Sequence, residues 1–486
     1  MAIKVLFLYF GLLIFIVSDT FAQAEFIEVE CNKTLSLFTF MDAAAEGRAS
    51  SESYTEFIMD QLSTDPAFMS LVQEFSTLDF DGRMEWKGYP KMRHAGIYAK
   101  DLLWMSLAQA ESIEDFSQRF YGVIPMHSHA KLIRLLKAGA PYFDRTVWNP
   151  QQGNIQTMVS SLSKYKSQIE DLFLKVSKFY GVDWDQNIPF TIQVYPIPLE
   201  RGMTTAIPKG NALICAFLSE KENEYLGVLG IAIHEMCHII YAQQTVEKQE
   251  EIDAIFNSHP SDFAQKAYAY LDEGLATALG NGWAYKEVHG TLDTSEWYNH
   301  EYIDGYAHAM FEDVVSYVNL GKTMDASLVI KSIETFEKTF PNAMRDVMGL
   351  LNQVILFVNT ESEDKLRGMI DVFIKEFNTR SISMSVPMDE PEGLALLDEK
   401  STSKFFIIDH DKEGAYGLIK KQYPSFNKPP VKASAFLYIF KDVQTGSMIF
   451  LIEVQALSQV ENLLDQLAKL EFIDPGTLLV YSSESK

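Results

Sequence analysis

Cysteine is scarce in this sequence: Cys31, Cys215 and Cys237 are the only three in 486 residues. Three thiols cannot build a disulfide framework, since one bridge at most could form. Apolar burial must therefore hold the fold. Basic residues are also few, 41 against 66 acidic ones, for a formal net charge of −25. A chain this acidic repels phosphate backbones and anionic lipid, so nucleic acid and acidic membrane surfaces are excluded as partners. The charge serves solubility, with a preference for basic substrates as the alternative. There is no low-complexity tract and no internal repeat. Beyond the leader no apolar run approaches the roughly 20 residues of a membrane span. Leu226–Ile233 comes nearest.

At the N-terminus, Lys4 precedes an apolar run from Val5 to Val17, and Ala22-Gln23-Ala24 offers a small-x-small cleavage pattern. Residues 1–24 therefore read as a signal peptide, with an uncleaved anchor as the alternative. The mature chain is expected to begin near Glu25 and to be exported, periplasmic or secreted, with no transmembrane segment. Cys31 lacks the preceding residues that lipid attachment needs. Asn32-Lys33-Thr34 matches an N-glycosylation acceptor, which matters only if the source glycosylates exported proteins.

A hydrophobic content of 47% and a charged content of 22% are those of a globular protein long enough for two or three domains. Residues 25–185 read as a helical region. Between Ser160 and Tyr180, apolar residues such as Leu162, Ile169, Phe173 and Val176 recur at helical spacing, and Gly181 closes the helix. Phe190, Ile192 and Val194 then alternate with polar residues as in a strand, which Pro196 and Pro198 end. A second apolar run, Leu213–Leu218, follows a turn at Pro208–Asn211. Long helices return from Glu222 to about Phe377, making 186–380 the expected catalytic domain. Residues 381–403, polar and broken by Pro387 and Pro391, read as a linker. The remainder, 404–486, reads β-α-β-β-α-β, the order of a ferredoxin-like domain and a candidate protein-interaction module. The fold class expected is α+β.

The chemistry concentrates in His234-Glu235-Met236-Cys237-His238, inside the apolar stretch Val228–Tyr241. On a helix, residues four apart lie about 40° apart around the axis and about 6 Å along it. Two imidazoles so placed can converge on one ion. Glu235 borders that ion as a carboxylate able to take a proton from water. A catalytic zinc needs a third protein ligand, and Glu273 in Tyr270-Leu271-Asp272-Glu273-Gly274 is the candidate, 35 residues after His238. Taken alone, Glu273 could equally be an acid placed by a helix dipole. Asp272 could orient one of the histidines or cap a helix.

HExxH followed by a glutamate in a DEGLA stretch resembles the gluzincins, the thermolysin-like branch of zinc metallopeptidases. The resemblance spans roughly Ile188–Thr323, and only the HEMCH and DEGLA segments are specific. It implies one Zn2+ per chain on His234, His238 and Glu273, with Glu235 as general base. It also implies a small sheet whose edge, within Thr204–Leu218, would pair with an extended peptide. Gluzincins carry a tyrosine or histidine that hydrogen-bonds the developing oxyanion. Tyr306 and His308, in the helical stretch Tyr302–Val318, are the matching candidates; each could instead pack, and His308 could support a zinc ligand.

Other features carry less. His127 and His129 lie two apart, do not share a helix face and read as a surface loop. Cys237 reads as a small buried hydrophobe. Cys31 could bridge Cys215, stay free or cap the zinc as a latency thiolate. The expectation is an exported zinc peptidase acting on peptide or protein. The alternative is an exported zinc-binding scaffold that does not hydrolyse.

Overall fold

The computed structural model describes residues 26–45, 51–90, 93, 96–359, 363–377, 379, 381–400 and 402–481. The expected leader lies outside them. Helices and strands alternate irregularly in a mixed α+β chain with two main sheets. The first sheet draws on both ends of the N-terminal half. It takes β1 (Ile27–Glu30), then, after the short hairpin of β2 (Arg83–Glu85) and β3 (Gly96–Tyr98), it takes β4 (Phe190–Ile197), β5 (Ala206–Lys209) and β6 (Ala212–Leu218). Its order is β1-β4-β6-β5, with β5 as the antiparallel edge.

Every residue of β4 is buried, because both faces are covered. Phe190, Ile192 and Val194 enter the core that holds the histidine helix, whereas Tyr195 and Ile197 enter the core of the N-terminal helices. Gln193 is tolerated inside because its amide donates to the Ala108 carbonyl at 2.7 Å and to Glu30 at 3.2 Å. Pro196 does not end the strand. The β1 register stops at Gln193, so the missing N–H of Pro196 falls where β4 has a single neighbour.

The N-terminal core is built around the helix Lys33–Ala44, buried from Thr34 onward. Phe38 and Phe40 meet Phe75, Trp104, Phe68 and Phe143 there. A helix apolar on all sides belongs at a centre. Asn32 caps it, accepting from Thr34 and Leu35 N–H at 2.8 and 3.1 Å while its Nδ2 donates to the Ala110 carbonyl. His127 and His129 open a helix, Met126–Phe143, rather than a loop; His129 is buried on the Ser117 carbonyl. The helix expected from Ser160 is two, Asn149–Ser163 and Lys166–Tyr180, and Gly181 caps the second at φ 74°. Both pack in the core of the histidine helix, so the expected boundary at 185 is no structural break.

The second sheet corrects the expected C-terminal organisation. It holds β7 (Gln353–Val358), β8 (Ser381–Ser385), β9 (Ser403–Ile408), β10 (Phe436–Lys441), β11 (Met448–Glu453) and β12 (Leu478–Val480). Their order is β12-β10-β11-β9-β7-β8. The expected linker at 381–403 therefore supplies the edge strand β8, parallel to β7. In a ferredoxin-like sheet the last strand pairs with the first. Here β7 occupies that side of β9, so β12 pairs with β10 at the far edge. Strands apolar on both faces need two covers, and separate clusters of buried residues lie on the two sides.

One helix among the described residues, Glu224–Ala242, is long and apolar enough to cross a bilayer by length and composition. The sequence shows no such run because His234, Glu235 and His238 interrupt it. In the fold it is a core helix, packed against β6 and β5 on one side and Lys166–Tyr180 on the other.

Candidate metal centre

The helix Glu224–Ala242 buries Val228, Leu229, Ala232, Ile233, Met236, Cys237 and Ile240. That burial fixes its rotation, and with it the direction of His234 and His238. A second helix, Ala264–Ala276, runs beside it and carries Asp272 and Glu273 in its last turns. The helix continues into a wider π-helical stretch, Thr277–Ala284, of a kind that recurs at functional sites. Gly280 allows the contact there, since a Cβ on it would lie 2.7 Å from the His234 Cα.

Three ligand atoms converge. The Nε2 atoms of His234 and His238 are 3.2 Å apart. Glu273 Oε2 lies 3.6 Å from the first and 3.5 Å from the second. Tetrahedral ligands about 2.0–2.2 Å from one centre are separated by about 3.3–3.6 Å, so the triangle is the size of one face of a zinc tetrahedron. Both imidazoles are oriented from behind. Asn281 donates its Nδ2 to the Trp297 carbonyl at 2.9 Å, which leaves Oδ1 to accept from His234 Nδ1 at 2.9 Å. Asp272 Oδ1 accepts from His238 Nδ1 at the same distance. With each Nδ1 donating, each ring in its neutral form would aim its Nε2 lone pair at the same point beside a carboxylate. That point can be filled by a proton or by a metal cation, and the donor set of two imidazoles and one carboxylate suits zinc.

The electrostatics agree. Burial disfavours the charged form of His238, yet the carboxylates of Asp272 and Glu273 outweigh it and raise the imidazole well above its ordinary value. The charge that draws a proton to this ring also draws a metal ion. Glu235 lines the same open cavity of about 420 Å3, together with Pro208, Ile231, Asn281 and Tyr298. Burial raises its carboxyl above the ordinary range; the two imidazoles oppose this, and Glu273 and Asp272 add to it.

Of the residues singled out from sequence, His234, Glu235, His238 and Glu273 come together, with Asp272 in the orienting role. Tyr306 does not join them. It is fully buried, its hydroxyl donates to the Ser332 carbonyl at 3.1 Å, and its ring packs on Phe336 and over Gly274. His308 also stands apart, stacked on Trp297 with ring centres 3.8 Å apart and 3.6 Å from Asp304. The helical period before Val318 puts Tyr306 on the inward stripe with Tyr302, Ile303 and Met310, which removes it from any cavity. Tyr298 takes the place beside the site, its ring 5.8 Å from that of His234. It precedes the helix Glu301–Asn319, where no periodicity marks it. Asn281 was also missed. The Gly280-Asn281-Gly282 interruption eight residues past Glu273 is the signal that could have found it.

The three cysteines are free. Cys237 is a buried small side chain whose Sγ–H points to the Ile233 carbonyl at 3.3 Å. Cys31 meets Ser36 at 3.8 Å, and burial pushes its thiol up to about 12, which disfavours a thiolate ligand. Comparison with known protein families, curated proteins and solved structures finds no match to this chain.

Proposed function

We propose that this protein is a zinc-dependent peptidase of the gluzincin type. The observation that carries the reading is the triangle of His234, His238 and Glu273 with Glu235 in the same cavity. A zinc ion held by the three ligands would supply a Lewis acid that polarises a substrate carbonyl and acidifies water. Glu235, kept above the usual carboxylate range by burial, is matched to accept a proton from water and hand it to the leaving amine. Tyr298, which lines the same cavity, is the residue we assign to hydrogen-bond the carbonyl oxygen as it gains charge.

The sheet supports an extended peptide as substrate. Thr205 O accepts from Ala216 N at 2.9 Å, so of the alternate residues Ala206 turns its N–H and C=O, and Pro208 its C=O alone, to the edge of β5 that is unpaired among the described residues. Pro208 also lines the metal cavity, which puts that edge beside the reacting centre. The leader-like N-terminal sequence supports action outside the cytoplasm.

The test pairs bound zinc with cleavage of an unstructured protein, wild type against Glu235→Gln. Near-stoichiometric zinc in both, with cleavage by wild type only, is the expected result. Zinc in both and cleavage by neither would favour a zinc-binding scaffold. Zinc in neither would end the proposal.

A further inference from the structure

A second cavity lies where the metal-bearing half meets the C-terminal sheet, with a volume of about 520 Å3. That size holds small organic ligands (~300–1,000 Å3). The start of the helix Ala264–Ala276 forms one wall; Lys400 and the turn Lys441–Gly446 after β10 form the other. We propose that this junction binds a small oxyanion, a carboxylate or a phosphate, through Lys266, Lys400 and Lys441.

Lys266 is the centre of the argument. It is 5% exposed, and its Nζ donates to the Gly349 carbonyl at 2.7 Å. An ammonium has three donors, and among the described residues the one carboxylate that acts on this one, Asp346, does so through space rather than as an ion pair. Burying an unpaired ammonium is costly. Burial and the neighbouring Lys404 push the Lys266 amine down to about 7, with only Asp346 pulling the other way. Lys404 is itself fully buried beside the cavity, bonded to the Glu399 carbonyl and, at 3.0 Å, to Ser447 Oγ. Burial pushes it down to about 8, against Glu399, Asp442 and Asp398.

Two acids, Asp262 and Asp442, line the cavity, and neither forms an ion pair with a lining lysine among the described residues. Asp442 points into its own turn, accepting from Gln444 N and Thr445 N at 3.1 Å and from Thr445 Oγ1 at 2.6 Å, and its charge acts on Lys404. Asp262 is exposed at the rim. His259 adds a donor, because its Nδ1 accepts from Ser261 N and so leaves the proton on Nε2. Three lining lysines with a fourth behind them make a local positive field in a chain of net charge −25. An oxyanion supplies the missing counter-charge, bridges the two halves and keeps Lys266 protonated.

The test uses the whole mature chain and needs no enzymatic activity. Inorganic phosphate and citrate are titrated separately at ionic strength matched with sodium chloride, reading melting temperature and heat of binding. Saturable binding is expected, at least tenfold weaker in Lys441→Gln and lost in Lys266→Met. At pH 8 two buffers of different ionisation enthalpy should report proton uptake on binding to the wild type. Where Lys266→Met fails to fold, the exposed Lys441→Gln and Lys400→Gln decide. Phosphate alone or citrate alone would identify which oxyanion the site takes. Stabilisation no greater than that by chloride, or equal binding by wild type and the lysine variants, overturns the proposal.

Discussion

Asn281 fixes the tautomer of His234. Its Nδ2 is committed to the Trp297 carbonyl, so its Oδ1 must accept, and His234 Nδ1 must carry the proton at 2.9 Å. The metal-facing nitrogen is thereby left with a lone pair. Removing that acceptor should weaken zinc binding about 10–100-fold, the usual cost of losing such a partner. Asn281→Leu is expected to show this in competition with a chelator, while Asn281→Asp, which keeps an oxygen acceptor, should lose less. Unchanged affinity in the leucine variant would mean that the ring is oriented by packing alone.

The π-helical stretch brings backbone against backbone at Gly280. A methyl group there would meet His234 Cα at 2.7 Å and N at 2.9 Å, atoms that cannot swing aside. Gly280→Ala should cost about 1–3 kcal/mol in chemical unfolding, the range of overpacked cores, and should lower zinc occupancy. A variant as stable as wild type and fully loaded would show that the two helices separate easily.

Tyr298 and Tyr306 should part company. Tyr306→Phe removes the second donor to the Ser332 carbonyl, which keeps its bond within the helix Ala326–Thr339, costing about 0.5–1.5 kcal/mol of stability while cleavage per folded molecule stays the same. Tyr298→Phe should lower kcat, by about 100-fold if its phenol meets the oxyanion. The reverse pattern in steady-state kinetics would return the role to Tyr306.

Lys266 makes stability depend on pH. Its amine is held down near 7 when folded and returns to its ordinary value, 10.5, when unfolded. Between those values the unfolded chain binds the extra proton, so stability rises as pH rises from 7. The whole effect is at most roughly 4–5 kcal/mol, most of it above pH 8. Urea unfolding of metal-loaded protein at pH 7, 8 and 9 should show this rise in wild type and a flatter profile in Lys266→Met. Equal slopes would mean that Lys266 stays charged in the folded state.

Much of the site was legible in the letters because it is written locally. A four-residue spacing on an apolar helix places His234 and His238 on one face whatever the rest of the chain does. In the C-terminal half, alternation and turn residues outlined β9 to β12 to within a residue or two. The pairing of those strands was not legible. It depends on β7 and β8, which fill the side of β9 that a ferredoxin-like sheet leaves for its last strand.

The sequence by itself determined the donor types, the helix that carries the histidines and the carboxylate beside them. Only the tertiary structure decided that Glu273 faces the histidines, that Asn281 and Asp272 stand behind them, and that Tyr298 rather than Tyr306 borders the cavity. Periodicity states which stripe of a helix is apolar, but not which neighbour that stripe is buried against. Tyr306 and Tyr298 have the same side chain. One lies on a stripe that Phe336 covers and the other in a turn beside His234, and that difference arises only when separate helices pack.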